Sequence, residues 1–125
     1  MTISEERIKQ ANRIVIKIGS ELLVDNKSGT VNNKWLASLA EDIFLLRCRG
    51  KGVVLVSSGA IALGRRYLGL ERGHLQLEEE QASAATGMVR LANSYQNALE
   101  THKLTLAQVL LTLDDSENRR RYINA

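Results

Sequence analysis

Two short apolar runs, each ending in glycine and serine, constrain this chain more than any other feature. "RIVIKIG" at 13–19 and "VVLVSSG" at 53–59 are rich in β-branched residues and too short for typical helices, so they predict buried strands. Around them the apolar residues switch to helical spacing. From Asn33 to about Arg49, Trp35, Leu36, Leu39, Ala40, Ile43 and Leu46 recur every three or four positions, and Gly50 and Gly52 bracket the helix end. Gly59 to about Leu68 predicts a second helix. Glu78 to Glu100 predicts a third, with Ala82, Ala85, Val89, Ala92 and Leu99 along one face and glutamates in its first turn. "LTLAQVLLTL" at 104–113 predicts a third strand, and "DDSENRRRYINA" a last helix capped by Asp114, Asp115 or Ser116. "SELLVDNKSGTVN" carries turn chemistry and predicts a small hairpin or loop.

Strands alternating with helices predict an α/β fold, a mostly parallel sheet with helices on both faces. The chain stops at Ala125 just as its last helix begins, so the sheet is expected to be incomplete at its C-terminal end. Ligands of such sheets bind beyond the carboxyl ends of the strands. That singles out Gly19-Ser20, Ser57-Ser58-Gly59 and the segment from Thr112 to Asp115.

Composition narrows the function classes. A chain of 125 residues, 44% hydrophobic, supports one small domain. No apolar run approaches the ~20 residues that a membrane helix needs, and the charged N-terminus lacks the apolar core of a signal peptide. Cys48 is the only cysteine, so no internal disulfide forms, which fits a reducing cytoplasm. A net charge of +3 with 4% aromatics argues against a nucleic-acid surface, which combines a dense basic stripe with stacking rings. The Arg65-Arg66 and Arg119-Arg120-Arg121 clusters read mainly as solvated helix faces. Asp114 and Asp115 could approach magnesium, but tandem acids before a helix are more often caps, and no metal site is expected.

The chemistry concentrates at two places. In "IVIKIGS" the alternation puts Ile14, Ile16 and Ile18 on one face and Val15 and Lys17 on the other. A lysine in so apolar a strand must reach water or an anion. Gly19 and Ser20 follow, a backbone able to turn N–H groups toward a phosphate. Lys17 is therefore either a phosphoryl-stabilising residue beside an anion nest or a snorkelling lysine near a strand end. At the second strand-to-helix junction, the N–H groups of Gly59 and Ala60 with the Ser58 hydroxyl are suited to a carboxylate or phosphate. A plain serine cap is the alternative. Two sharper motifs fail: Val56 replaces the first glycine of a nucleophile elbow, and "GAIALGRR" lacks the Lys and Ser/Thr of a Walker A loop.

With Lys17-Ile18-Gly19-Ser20 and Ser57-Ser58-Gly59-Ala60 in hand, the chain resembles the amino acid kinase family. The likeness runs from "RIVIKIGS" through "VLVSSGAIALGRRYLGL" and "EEEQASAATGMVRLANSYQNAL" to "AQVLLTLDDSENRRRYINA". It is strongest for the branch that phosphorylates glutamate as the first step of proline biosynthesis. The resemblance implies transfer of the γ-phosphoryl group of ATP to the side-chain carboxylate of L-glutamate, with Mg2+ held mainly by the phosphates. It makes Lys17 the catalytic, phosphate-contacting residue, places Gly19 and Ser20 in the phosphate nest, and has Ser58, Gly59 and Ala60 bind glutamate. Met88 follows Gly87 where the family usually has glutamine. Family members also continue well beyond this length, supplying the nucleotide pocket. The resemblance thus implies that residues 1–125 are the N-terminal, amino-acid-binding half of a kinase domain, with the nucleotide-binding half absent and no activity alone. The full-length protein is expected to be a cytoplasmic homo-oligomer without membrane or nucleic-acid partners. Two alternatives remain: a non-catalytic association or anion-binding fragment, and another family member such as an acetylglutamate or uridylate kinase.

Overall fold

In the computed structural model, residues 2–70, 73–111 and 123 are described. The element order is α1 (Ile3–Gln10), β1 (Arg13–Ile18), α2 (Ser20–Leu23), α3 (Asn33–Cys48), β2 (Gly52–Ser57), α4 (Ala60–Tyr67) and α5 (Leu77–Glu100). β1 and β2 pair in parallel, in register from Arg13 opposite Gly52 to Ile18 opposite Ser57. This is an α/β arrangement, with α2 and α3 in the crossover between the two strands.

Local chemistry explains the boundaries. The Asn32 side chain accepts the Trp35 N–H at 3.2 Å and starts α3, which ends where Gly50 takes a positive φ of 76°. The Glu79 carboxylate accepts the Gln76 N–H at 2.8 Å at the start of α5. Where a small hairpin or loop is expected, Ser20–Leu23 form the short α2, and Val24 and Val31 form a single antiparallel bridge around the Asp25 turn. The sequence reading leaves α1 out because its residues are all exposed and carry no apolar stripe. It is held from outside: the Lys51 ammonium donates to the Lys9 and Ala11 carbonyls at 2.7 and 2.6 Å.

The core lies on one face of the sheet. Ile16, Ile18, Val53 and Leu55 meet Leu36, Leu39, Ala40 and Ile43 of α3, and Leu91, Tyr95, Ala98 and Leu99 of α5. Leu23 and Val24 close one end of it. On the opposite face Val15, Val54 and Val56 are 63%, 43% and 50% exposed, and Lys17 stands among them. The second helical layer of a two-sided sheet is not among the described residues.

Two expectations need correction. The buried face of α5 is not the Ala82–Ala85–Val89–Ala92 stripe. Ser83, Gly87, Leu91, Tyr95 and Leu99 point inward, whereas Val89 is 73% exposed; only Leu99 belongs to both sets. The reason is close approach. A Cβ on Gly64 would overlap the Ser83 carbonyl oxygen, and one on Gly87 would overlap that of Ala60, so α4 and α5 touch backbone to backbone. Small side chains selected the face at Ser83 and Gly87, and apolarity selected it from Leu91 to Leu99. Arg90 lies over the Tyr67 ring at 3.3 Å and fastens the same pair of helices.

The second correction concerns 104–113. Its described part, 104–111, forms no ladder. Leu104 and Leu106 do alternate inward onto the core, which is what the sequence pattern recorded, but a strand also needs a neighbouring edge in hydrogen-bonding register. From Ala107 the segment is exposed. The expected helix from Asp114, with its caps, lies outside the described residues, as does Thr112.

Replacing Gly87 or Gly64 by alanine is expected to cost about 2–3 kcal/mol in urea unfolding, as overpacking does. Val89→Ala should stay within about 0.5 kcal/mol. The reverse ranking would restore the Ala82–Val89 face.

Candidate functional site

Parallel pairing brings the carboxyl ends of both strands to one edge, and hydrogen bonds join the loops that leave them. The Ser58 N–H and the Ser58 Oγ both donate to the Ile18 carbonyl oxygen, at 3.1 and 3.2 Å. Gly59, the N-cap of α4, has φ 104° and ψ −3°, a left-handed conformation that favours glycine. A side chain there would begin 3.3 Å from Val24 Cγ2 and 3.5 Å from the Ser20 Cα and Cβ. The glycine therefore seats the second loop directly against the first.

Of the residues predicted to form the site, Gly19, Ser20, Ser58, Gly59 and Ala60 are thus brought together. Gly19 caps the short α2, Ser20 begins it, and Ala60 begins α4. Among the described residues no acceptor takes the Gly59 or Ala60 N–H. These two donors carry the positive end of the α4 dipole. Ser58 Oγ spends its one proton on Ile18, so it would have to rotate to donate to a ligand.

Lys17 occupies a different position. It lies opposite Val56, exposed, on the open face of the sheet, across the strand from the face that carries Ile16 and Ile18. No carboxylate among the described residues pairs with it. It is near the same carboxyl-end edge, one residue before Ile18 and two before Gly19.

Sequence reasoning missed a further pair. The Tyr95 hydroxyl donates to Ser57 Oγ at 2.8 Å, and Ser57 Oγ donates to the Ser58 carbonyl at 3.2 Å. Tyr95 is 6% exposed, and burial pushes its phenol above the ordinary value of 10.0. The available signal was a tyrosine at helical spacing between Leu91 and Leu99, since a buried phenol usually finds a partner. Ser57, Ala60, Met88 and Tyr95 line a cleft of about 220 Å³ with Leu106 and Leu110 among its other walls. Met88 gives that cleft an apolar thioether.

Among the described residues no group of three His, Cys, Asp or Glu could hold a metal ion. Among them also no helix is long and apolar enough to cross a membrane.

The amino acid kinase family model matches residues 12–125, and the chain belongs to that family. Its relatives include glutamate 5-kinases. That of Ruegeria sp. (strain TM1040) is 58% identical over 118 residues, covering 94% of this chain and 32% of the relative. That of Paramagnetospirillum magneticum is 60% identical, covering 92% and 31%. That of Agrobacterium fabrum is 51% identical over all 125 residues and 32% of its own length. The chain thus spans about a third of the relatives it matches.

Gly59→Ala is expected to lose about 1–2 kcal/mol in denaturant unfolding, the cost of a left-handed non-glycine residue, with added strain against Val24. Tyr95 gives a pH signature. Its unfolded phenol ionises near 10.0 and its folded phenol later, so the native state holds the proton longer. Stability from this group is complete below pH 10 and falls as pH rises through the folded-state value. Tyr95→Phe should flatten that alkaline slope in unfolding measured against pH.

Proposed function

We propose that the chain is the N-terminal, amino-acid-binding part of a glutamate 5-kinase, which transfers the γ-phosphoryl group of ATP to the side-chain carboxylate of L-glutamate. The observation that carries this reading is the pair of hydrogen bonds that the Ser58 N–H and hydroxyl donate to the Ile18 carbonyl, which sets one anion-binding loop against the other. The names of the relatives supply the substrate.

In this reading the Gly59 and Ala60 N–H groups and the Ser58 hydroxyl hold a glutamate carboxylate. Gly19 and Ser20 face the phosphates. The attacking carboxylate oxygen forms a bond to the γ-phosphorus as the bond to the ADP oxygen breaks. A carboxylate needs no strong base, so catalysis rests on alignment and on neutralising charge on the transferred group. Lys17 supplies a cation for that task from the open side of the sheet. ATP is the second substrate, and the remainder of the nucleotide site belongs to sequence beyond this chain. Magnesium would arrive with the phosphates. The protein works in the cytoplasm, and its full-length form is a homo-oligomer.

In the full-length enzyme, Lys17→Ala should lower kcat by at least about 100-fold, the scale of losing a charge that stabilises the transition state. Ser58→Ala should mainly raise KM for glutamate, by about fivefold for one hydrogen bond. Steady-state kinetics with glutamate, acetylglutamate, aspartate and UMP as acceptors check both the roles and the substrate. Preference for another acceptor, or an exchange of the two kinetic effects, would defeat the assignment.

A further inference from the structure

We infer that Tyr95 is a positioning residue: through Ser57 it fixes the orientation of the Ser58–Gly59 peptide and so aims the Gly59 N–H into the acceptor site. The inference rests on the reading of that site given above, and it concerns residues that touch no substrate themselves.

The direction of the chain of bonds is determined. Ser57 Oγ has one proton and gives it to the Ser58 carbonyl at 3.2 Å, so it must accept from Tyr95 at 2.8 Å. The phenol stands on α5, a helix locked to α4 by the Gly64 and Gly87 contacts, and its ring is packed in the core with Ile18 and Leu91. The far end of the relay is one peptide unit. In a planar trans peptide the C=O and the following N–H point in opposite directions. Holding the Ser58 carbonyl on the Ser57 side therefore turns the Gly59 N–H away from it, toward the mouth of the α4 N-terminus.

This peptide needs such a restraint. Gly59 sits at φ 104°, and rotating the Ser58–Gly59 peptide by half a turn would carry φ to a negative value that any residue tolerates. The turned peptide would present a carbonyl oxygen where an anion is to bind. Ser58 N–H and Oγ, bonded to Ile18, fix the preceding peptide and the side chain but leave this unit unconstrained. The relay from Tyr95 is its restraint among the described residues.

The test uses the full-length enzyme. Tyr95→Phe keeps the ring and removes the hydroxyl; Ser57→Ala removes the central link without adding bulk. Each should raise KM for the acceptor roughly fivefold, leaving kcat and the KM for ATP within twofold. Ser57→Thr, which restores the hydroxyl, should recover most of the wild-type value. The double variant should be no worse than Ser57→Ala alone, because both break one chain. An unchanged acceptor KM in both single variants, or a loss shared by kcat and both KM values, overturns the inference and leaves the bond a packing feature. If the wild type turns over an acceptor other than glutamate, the proposed function fails, and the relay is read from the KM of that acceptor. If there is no turnover, crystal structures decide. A Ser58–Gly59 peptide that takes a second orientation in Tyr95→Phe supports the relay, and one unchanged orientation overturns it.

Discussion

One acceptor atom organises the site. The Ile18 carbonyl oxygen, at the end of β1, takes both the N–H and the hydroxyl of Ser58, the first residue past β2. Because the strands are parallel, this bond joins two loops that leave the sheet on the same edge. In an antiparallel pair the loops would emerge at opposite ends and could not cooperate on one pair of reactants. Gly59 completes the junction by bringing backbone, without a side chain, against Ser20.

The long helix α5 then acts as a brace with two attachment points. At Gly87 it meets α4 with no side chain between the backbones, and at Tyr95 it reaches Ser57 at the end of β2. Eight residues of helix separate these points by about 12 Å. One rigid element thus fixes both the start of α4 and the strand that leads into it, which is the arrangement an anion site needs if its donors are to be aligned before the ligand arrives. The unpartnered Ser83 hydroxyl in the same seam fits this view: a small side chain is retained there for contact, without a hydrogen-bond partner among the described residues.

How far the sequence could be read depended on which physical signal each element used. The faces of β1 and α3 were legible because burial followed apolarity: Ile16 and Ile18 against Lys17, and Leu36, Ala40 and Ile43 inward. The Ser58-Gly59-Ala60 stretch was legible as a strand-to-helix boundary, with β2 ending at Ser57 and α4 beginning at Ala60, because serine and glycine there mark a turn. The face of α5 was not, since Ser83 and Gly87 are buried for their size while Val89 stays in solvent. The stretch from Leu104 carried a strand's alternation without a strand's partner among the described residues. The Tyr95–Ser57 bond joins residues 38 apart, and no local pattern announces it. α1 depends on Lys51, which is equally remote in sequence.

The central claim is that the Gly59 and Ala60 N–H groups receive a carboxylate of the acceptor amino acid. The most direct measurement is a crystal structure of the full-length protein with L-glutamate bound. The account requires a glutamate carboxylate oxygen within hydrogen-bonding distance of both donors, on the edge where Ser20 meets Gly59. Glutamate bound elsewhere, with those two N–H groups turned to water, would contradict it.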